Sequence, residues 1–296
     1  MQTVERALEL YGAPVYVRKE IVHNKTVVEQ LRERGAVFVE SVAEVPEGAT
    51  VVFSAHGVAP SVHTKARDRS LATIDATCPL VTKVHVEAKK FAADGYTIVL
   101  IGHAGHEEVE GTMGEAPESI VLIQTEDDVD QLDVADPERI AYISQTTLSV
   151  DETRTIINRL RRRFPAIVGP RTDDICYATT NRQAAVKQLA EQCDLVLVIG
   201  SRNSSNSNRL VEVAREHGAA SHLIDYEGEV REEWLDGKRV VGITSGASAP
   251  ESLVQRLVDF FRARGTSDVS ELEVVQEDVR FMLPKVIRQG MAATSA

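Results

Sequence analysis

The sequence predicts an α/β protein made of three pseudo-repeated α/β units, and three observations carry that reading. Strand-like and helix-like patterns alternate along the chain with short loops between them, the signature of helices packed on largely parallel sheets. A cysteine, a helix, an apolar strand and a loop recur in one register: 24 residues separate Cys78 from Gly102, and 24 separate Cys176 from Gly200. A shared register of this kind marks an internal repeat. A third strand of the same type, Pro14 to Arg18, places its own cysteine ahead of Met1 by the same count. The repeat therefore expects a third cysteine upstream, a first sheet short of one strand, and a start that is truncated or mis-called.

The elements follow in order. Val4, Ala7, Leu8 and Tyr11 fall at i, i+3, i+4 and i+7, and Gly12 is placed to end that helix. After the strand from Pro14, Val51 to Gly57 reads as a strand feeding a polar loop, with a helix from Pro60. Asp75-Ala-Thr-Cys78 leads into a helix whose first position is Pro79, a place that proline favours. Thr97 to Gly102 is the repeat strand of the second unit, and Ala141 to Thr147 is its later strand and loop, followed by a helix from Asp151. Asp174-Ile-Cys176 opens the next helix. Leu195 to Gly200 and Val241 to Ser248 are the matching strands of the third unit, and a helix follows from Pro250. The units are expected at 1–77, 78–172 and 173–272. In the tail, 273–296, residues 273–283 read as a strand and 285–296 as loose chain. Ligands gather at the C-terminal ends of parallel strands, so the polar loops are expected to converge if the units share an axis.

Composition is that of a globular protein, 43% hydrophobic and 26% charged. No apolar run approaches the ~18 residues of a membrane helix, and no basic-then-apolar signal opens the chain. The expectation is a cytoplasmic protein with no membrane partner. Its three cysteines are then metal ligands, catalytic groups or core rather than disulfides. A net charge of −12 argues against a nucleic-acid partner. It leaves room for a small anion, which helix N-termini and neutral donors can hold.

Cys78 and Cys176 occupy matched places at helix starts, where a thiol's pKa is expected to fall and metal ligation to become easy. Two buried core cysteines are the bland alternative. Three thiolates around a pseudo-threefold centre would suit an iron–sulfur cluster with one open iron, with zinc as the rival. Cys193 ends a helix, has no counterpart, and reads as packing. His23, His56 and His103-Ala-Gly-His106 each follow an apolar strand, whereas His63, His85, His217 and His222 read as solvated. Glu107, Glu108 and Glu110 form either a solvated face or a place for one proton donor beside His106. Asn203-Ser-Ser-Asn-Ser-Asn208 is either a Ser/Asn turn or a cradle for phosphate oxygens. Ser248 and Gln145-Thr-Thr147 can add hydroxyls.

Several long motifs extend this reading: Tyr11 to Asn24, Ser54-Ala-His-Gly57, Asp75 to His85, Ile101 to Gly114, Asp174 to Gln183, Gly200 to Arg209 and Ser245 to Pro250. Together they resemble the 4-hydroxy-3-methylbut-2-enyl diphosphate reductase family over nearly the whole chain. The resemblance implies a trefoil of three α/β units around a central [4Fe–4S] cluster. It also implies reductive removal of the substrate hydroxyl with electrons from a ferredoxin or flavodoxin, giving isopentenyl and dimethylallyl diphosphate in the non-mevalonate isoprenoid pathway. Carried over by position, Cys78 and Cys176 match cluster ligands and Glu108 matches the proton donor. His23, His56, His106, Ser204, Ser205, Asn206 and Ser248 match diphosphate contacts, and Thr146 matches a residue that positions the substrate hydroxyl. The family's first cluster cysteine has no match here. Rival readings are a redox-inactive diphosphate-binding protein and a zinc hydrolase of phosphate esters.

Overall fold

Helices packed on parallel sheets are repeated three times in the computed structural model, which describes all residues except 273, 276–278, 280, 295 and 296. The first sheet contains β1 (Val15–Arg18), β2 (Ala36–Val39), β3 (Thr50–Phe53) and β4 (Ala72–Asp75), in the order β2-β1-β3-β4. The second contains β5 (Thr97–Ile101), β6 (Ile120–Ile123) and β7 (Ile140–Ser144), in the order β6-β5-β7. The third contains β8 (Leu195–Ile199), β9 (Ala220–Ile224) and β10 (Val241–Ser245), in the order β10-β8-β9. Every pairing is parallel. In each sheet the repeat strand has a neighbour on either side, so the loops after β1, β5 and β8 lie beside those after β3, β7 and β10.

The central strands β5 and β8 are apolar on both faces because both faces are covered. Val196 and Val198 of β8 enter one cluster with Val186, Leu210 and Val213, while Leu195, Leu197 and Ile199 enter the opposite one with Leu253 and Leu257. β5 divides likewise, with Val99 and Ile101 on one side and Ile98 and Leu100 on the other. Helix starts are fixed by side chains that accept otherwise unpaired amides. Asn24 caps Lys25–Glu33, Ser149 caps Val150–Arg163, and Ser204 caps Ser205–Glu216.

The chain entering each cysteine docks on the sheet before it. β4, ahead of Cys78, pairs with β3 of the first sheet, and Val168, ahead of Cys176, bridges Ala141 of β7. Consequently the first sheet is not the short one, contrary to the expectation from the repeat. It has four strands, whereas β10 in the third sheet pairs on one side only among the described residues.

The tail also differs from its sequence reading. Of 273–283, residues 273, 276–278 and 280 lie outside the described residues, and the remainder form no strand. Lys285–Thr294 is a helix rather than loose chain. Leu283, Ile287 and Met291, spaced four apart, pack with Val4 and Ala7 of the helix Gln2–Tyr11. That spacing puts Ile287 and Met291 on one face of the helix, with Leu283 just before its start.

Candidate functional site

Polar loops at strand C-termini meet in the middle of the molecule, and hydrogen bonds between units set their register. Cys78 N–H donates to the Ala55 carbonyl in the loop after β3, and Cys176 N–H donates to the Thr146 carbonyl in the loop after β7, both at 2.9 Å. Each cysteine is thus hung on a loop of the preceding unit. Both residues cap a helix, Pro79–Ala93 and Tyr177–Gln192, and Cys176 Sγ accepts from Thr179 N–H at 3.2 Å. The Cys78 thiol is pushed up by burial, which outweighs the pull of the Leu80 and Val81 amides, and nearby Cys176 and Glu108 push the same way. The expected lowering at a helix start is therefore reversed at Cys78, because losing water costs a thiolate more than two amides return. Cys176 and Glu108 therefore lie close enough to Cys78 to act on its thiol.

That carboxyl, Glu108, is 2% exposed at the start of the helix Glu107–Met113. Thr146 reaches it twice, N–H to Oε1 at 2.6 Å and Oγ1–H to Oε2 at 3.0 Å. Burial nevertheless pushes Glu108 up from 4.5 to about 7, against the effect of both hydrogen bonds. A carboxyl with that pKa holds a proton about half the time at neutral pH, which suits a general acid.

Three histidines flank this centre. The His23 and His56 rings stack at 4.1 Å between centroids, and His106 meets them edge-on at 5.6 and 5.8 Å. Burial and the two neighbouring rings push His106 down to about 3, so it is neutral. His56 is also pushed down, by burial first. A carboxylate stands behind each stacked ring: Glu20 is 3.3 Å from His23 Nδ1, and Glu107 is 3.4 Å from His56 Nδ1. His23, His56 and Glu107 have ligand atoms within 4.8 Å of one another and could hold a metal ion.

The Ser/Asn segment adjoins these histidines, with Asn203 Nδ2 3.4 Å from His23 Nδ1. Ser204 Oγ accepts from Ser207 N–H at 3.2 Å and from its hydroxyl at 2.9 Å. Gly200 and Gly246 make this possible, since a Cβ at either would collide with Ser207 Oγ. Ser205 Oγ faces the Thr147 carbonyl at 3.4 Å, and Ser248 Oγ donates to the His23 carbonyl at 3.0 Å. Asn206 is 5% exposed, yet neither its Nδ2 nor its Oδ1 has a partner among the described residues. A buried amide left open this way is costly, and a polar ligand would satisfy it. The donors present suit an anion, and the paired thiols suit a thiophilic metal centre.

The sequence model of the LytB protein family matches residues 1–262. The chain belongs to the LytB family. Among its relatives, the 4-hydroxy-3-methylbut-2-enyl diphosphate reductase of Nocardia farcinica is 61% identical over 289 residues, covering 97% of this chain and 86% of that protein. The reductase of the same name from Leifsonia xyli subsp. xyli is 59% identical over 290 residues, covering 98% of this chain and 86% of its own length. The structure of E-1-hydroxy-2-methyl-but-2-enyl-4-diphosphate reductase from Plasmodium falciparum superposes with a TM-score of 0.97 at 36% identity, over 100% of this chain and 93% of that one. A structure described as (E)-4-hydroxy-3-methyl-but-2-enyl diphosphate reductase, the terminal enzyme of the non-mevalonate pathway, gives 0.63 at 30% identity, over 88% and 92%.

Within this LytB site, Glu20 is a contributor that the sequence reading did not single out, and Glu107, Asn203 and Gln145 take roles it did not assign them. Glu20, Glu107 and Asn203 brace the stacked histidines, with Asn203 Nδ2 donating to Glu20 Oε2 at 2.7 Å. Gln145 ties three loops, accepting from His103 N–H at 3.0 Å and donating to Thr147 Oγ1 at 2.9 Å and Ser205 Oγ at 3.4 Å. His85, expected on the surface, is 6% exposed with Nδ1 2.8 Å from Glu115. It packs under Gly57, where φ is +81° and any Cβ would strike the imidazole. Cys193 stands apart from the centre, packed with Leu189 against Gly242 of β10.

Proposed function

We propose that the chain reduces 4-hydroxy-3-methylbut-2-enyl diphosphate to isopentenyl diphosphate and dimethylallyl diphosphate, the last step of the non-mevalonate pathway. What supports this reading is that Cys78, Cys176 and Glu108 come from three separate helix starts, with Cys176 bound to the Thr146 carbonyl, Thr146 bound to Glu108, and both Cys176 and Glu108 near enough to act on the Cys78 thiol, beside open anion donors. The reaction breaks the allylic C–O bond, takes up two electrons and two protons, and releases water. A [4Fe–4S] cluster, held on this chain by Cys78 and Cys176, would supply the electrons, delivered by a ferredoxin or flavodoxin.

The chain's own residues bind, orient and protonate. His23, His56 and His106 with Ser204, Ser205, Asn206 and Ser248 hold the diphosphate, so binding relies on neutral donors and imidazoles in an acidic protein. Asn206 gains the partners it lacks. Thr146 lies between Glu108 and the substrate hydroxyl and orients it by its own hydroxyl. Glu108 donates the proton with which the hydroxyl leaves as water. Burial serves both ends of this step: it keeps Glu108 protonated and excludes bulk water from the centre.

Anaerobic reconstitution with iron and sulfide, followed by turnover with a reduced viologen dye, tests the proposal. Consumption of the dye with appearance of both C5 diphosphates supports it. Protein that binds the diphosphate with no iron and no products would be a binding protein. Hydrolysis to free phosphate with zinc would establish the hydrolase.

A further inference from the structure

We propose that Lys83 is a strut that fixes the separation of the two site cysteines, a positioning role that rests on the cluster reading above. Lys83 stands five residues after Cys78 on the helix that Cys78 caps. Its ammonium crosses to the segment entering Cys176, donating to the Thr172 carbonyl at 2.5 Å, the Asp173 carbonyl at 3.0 Å and Asp174 Oδ1 at 2.9 Å. An ammonium has three N–H donors, so all of them are committed to one short stretch of chain.

Asp174 makes the grip firm. Its side chain is 1% exposed, and its second oxygen accepts from Ser144 N–H, at the end of β7, at 2.8 Å. Two residues later Cys176 N–H binds the Thr146 carbonyl. The stretch 172–176 is therefore held from one side by the second sheet and from the other by the helix of Cys78. Glu87, one turn beyond Lys83 and 3.8 Å from its ammonium, flanks the same pair. An exposed ion pair would be weak. Here one partner is buried and hydrogen-bonded to backbone, so losing the lysine leaves a carboxylate without its cation. Sites that bind through two fixed side chains lose function when their spacing loosens by about half an ångström.

The test uses metal-free protein with Cys193→Ser, so that Cys78 and Cys176 are its only thiols. A short bifunctional alkylating reagent that fluoresces once both arms have reacted reports how readily the two thiols are bridged. Lys83→Gln should lower the bridging rate about fivefold relative to single alkylation, and Lys83→Arg should recover part of it. Lys83→Met with Asp174→Asn removes both charges, avoids the unpaired buried carboxylate, and should show the same loss. Lys187→Gln, which breaks a lysine–aspartate pair elsewhere, should leave bridging unchanged. Reconstituted Lys83→Gln should also surrender iron to a chelator about fivefold faster than the parent. Wild-type bridging in Lys83→Gln and in the Lys83→Met, Asp174→Asn double variant would overturn the strut, as would an equal loss in Lys187→Gln. No bridging in the parent would instead show that the cysteines share no centre, and the cluster reading itself would fall.

Discussion

Replacing Glu108 by glutamine should make the protein less active and, at alkaline pH, more stable relative to the parent. The sign follows from burial. Glu108 titrates at about 7 in the fold against an ordinary 4.5, so between those values the folded state binds the proton that the unfolded chain has released. Stability attributable to this group is complete below pH 4.5 and is lost as pH rises through 7. At pH 5.5 the group has lost about one pH unit's worth, roughly 1.4 kcal/mol, and above pH 8 about two and a half, roughly 3 kcal/mol. Between pH 5.5 and 8 the parent should thus lose about 2 kcal/mol that Glu108→Gln keeps. Glutamine can still accept from Thr146 N–H through its carbonyl oxygen, so the local geometry survives. Urea unfolding of both proteins at the two pH values gives the number, and taking the difference cancels titrations common to both, such as that of Glu87. A stability difference that does not change with pH would show that Glu108 is not held protonated by burial, and its role as acid would lose its physical basis.

Turnover should fall by roughly 10²–10⁴-fold in the same variant while substrate binding persists, since general acid catalysis supplies about that much; steady-state kinetics with the reduced dye measures both. In the parent, activity should decline above pH 7 as Glu108 ionises, and Thr146→Val, which deletes the hydroxyl donated to the carboxylate, should move that decline to higher pH by about one unit. Asn206→Ala should raise KM at least tenfold with little change in kcat, because the buried amide has no other partner to serve; a split in the opposite direction would remove it from the diphosphate site. Cys78→Ala should abolish iron binding while Cys193→Ala leaves iron content unchanged, by colorimetric assay after reconstitution. Ile287→Ala should free the C-terminal helix from the helix Gln2–Tyr11 at a cost of about 2–5 kcal/mol.

The alternation of strands and helices, the 24-residue register and the helix starts at Cys78 and Cys176 were all legible in the sequence, because local periodicity and caps encode them. The LytB motifs named the donors. Other features were not legible. Ile287 and Met291, in a polar tail, give only a weak helical signal, and it is packing on the face offered by Val4 and Ala7, with Leu283 just ahead of the helix, that holds them there. His85 looked like a surface residue until Gly57 was found lying on it.

The three clustered glutamates show where the line falls. Sequence established that one of Glu107, Glu108 and Glu110 could serve as an acid and supplied the loop that carries them. Residue chemistry by itself left the three equivalent, and only the resemblance pointed to Glu108; what each carboxyl meets depends on the direction its position on the helix gives it. The fold sorted them by what each direction meets. Glu110 reaches Lys19, with its own side chain half exposed. Glu107 backs His56 and accepts from Ser54. Glu108 turns inward to Thr146, where water is excluded, and that loss of water alone makes it the one of the three that still carries a proton at neutral pH.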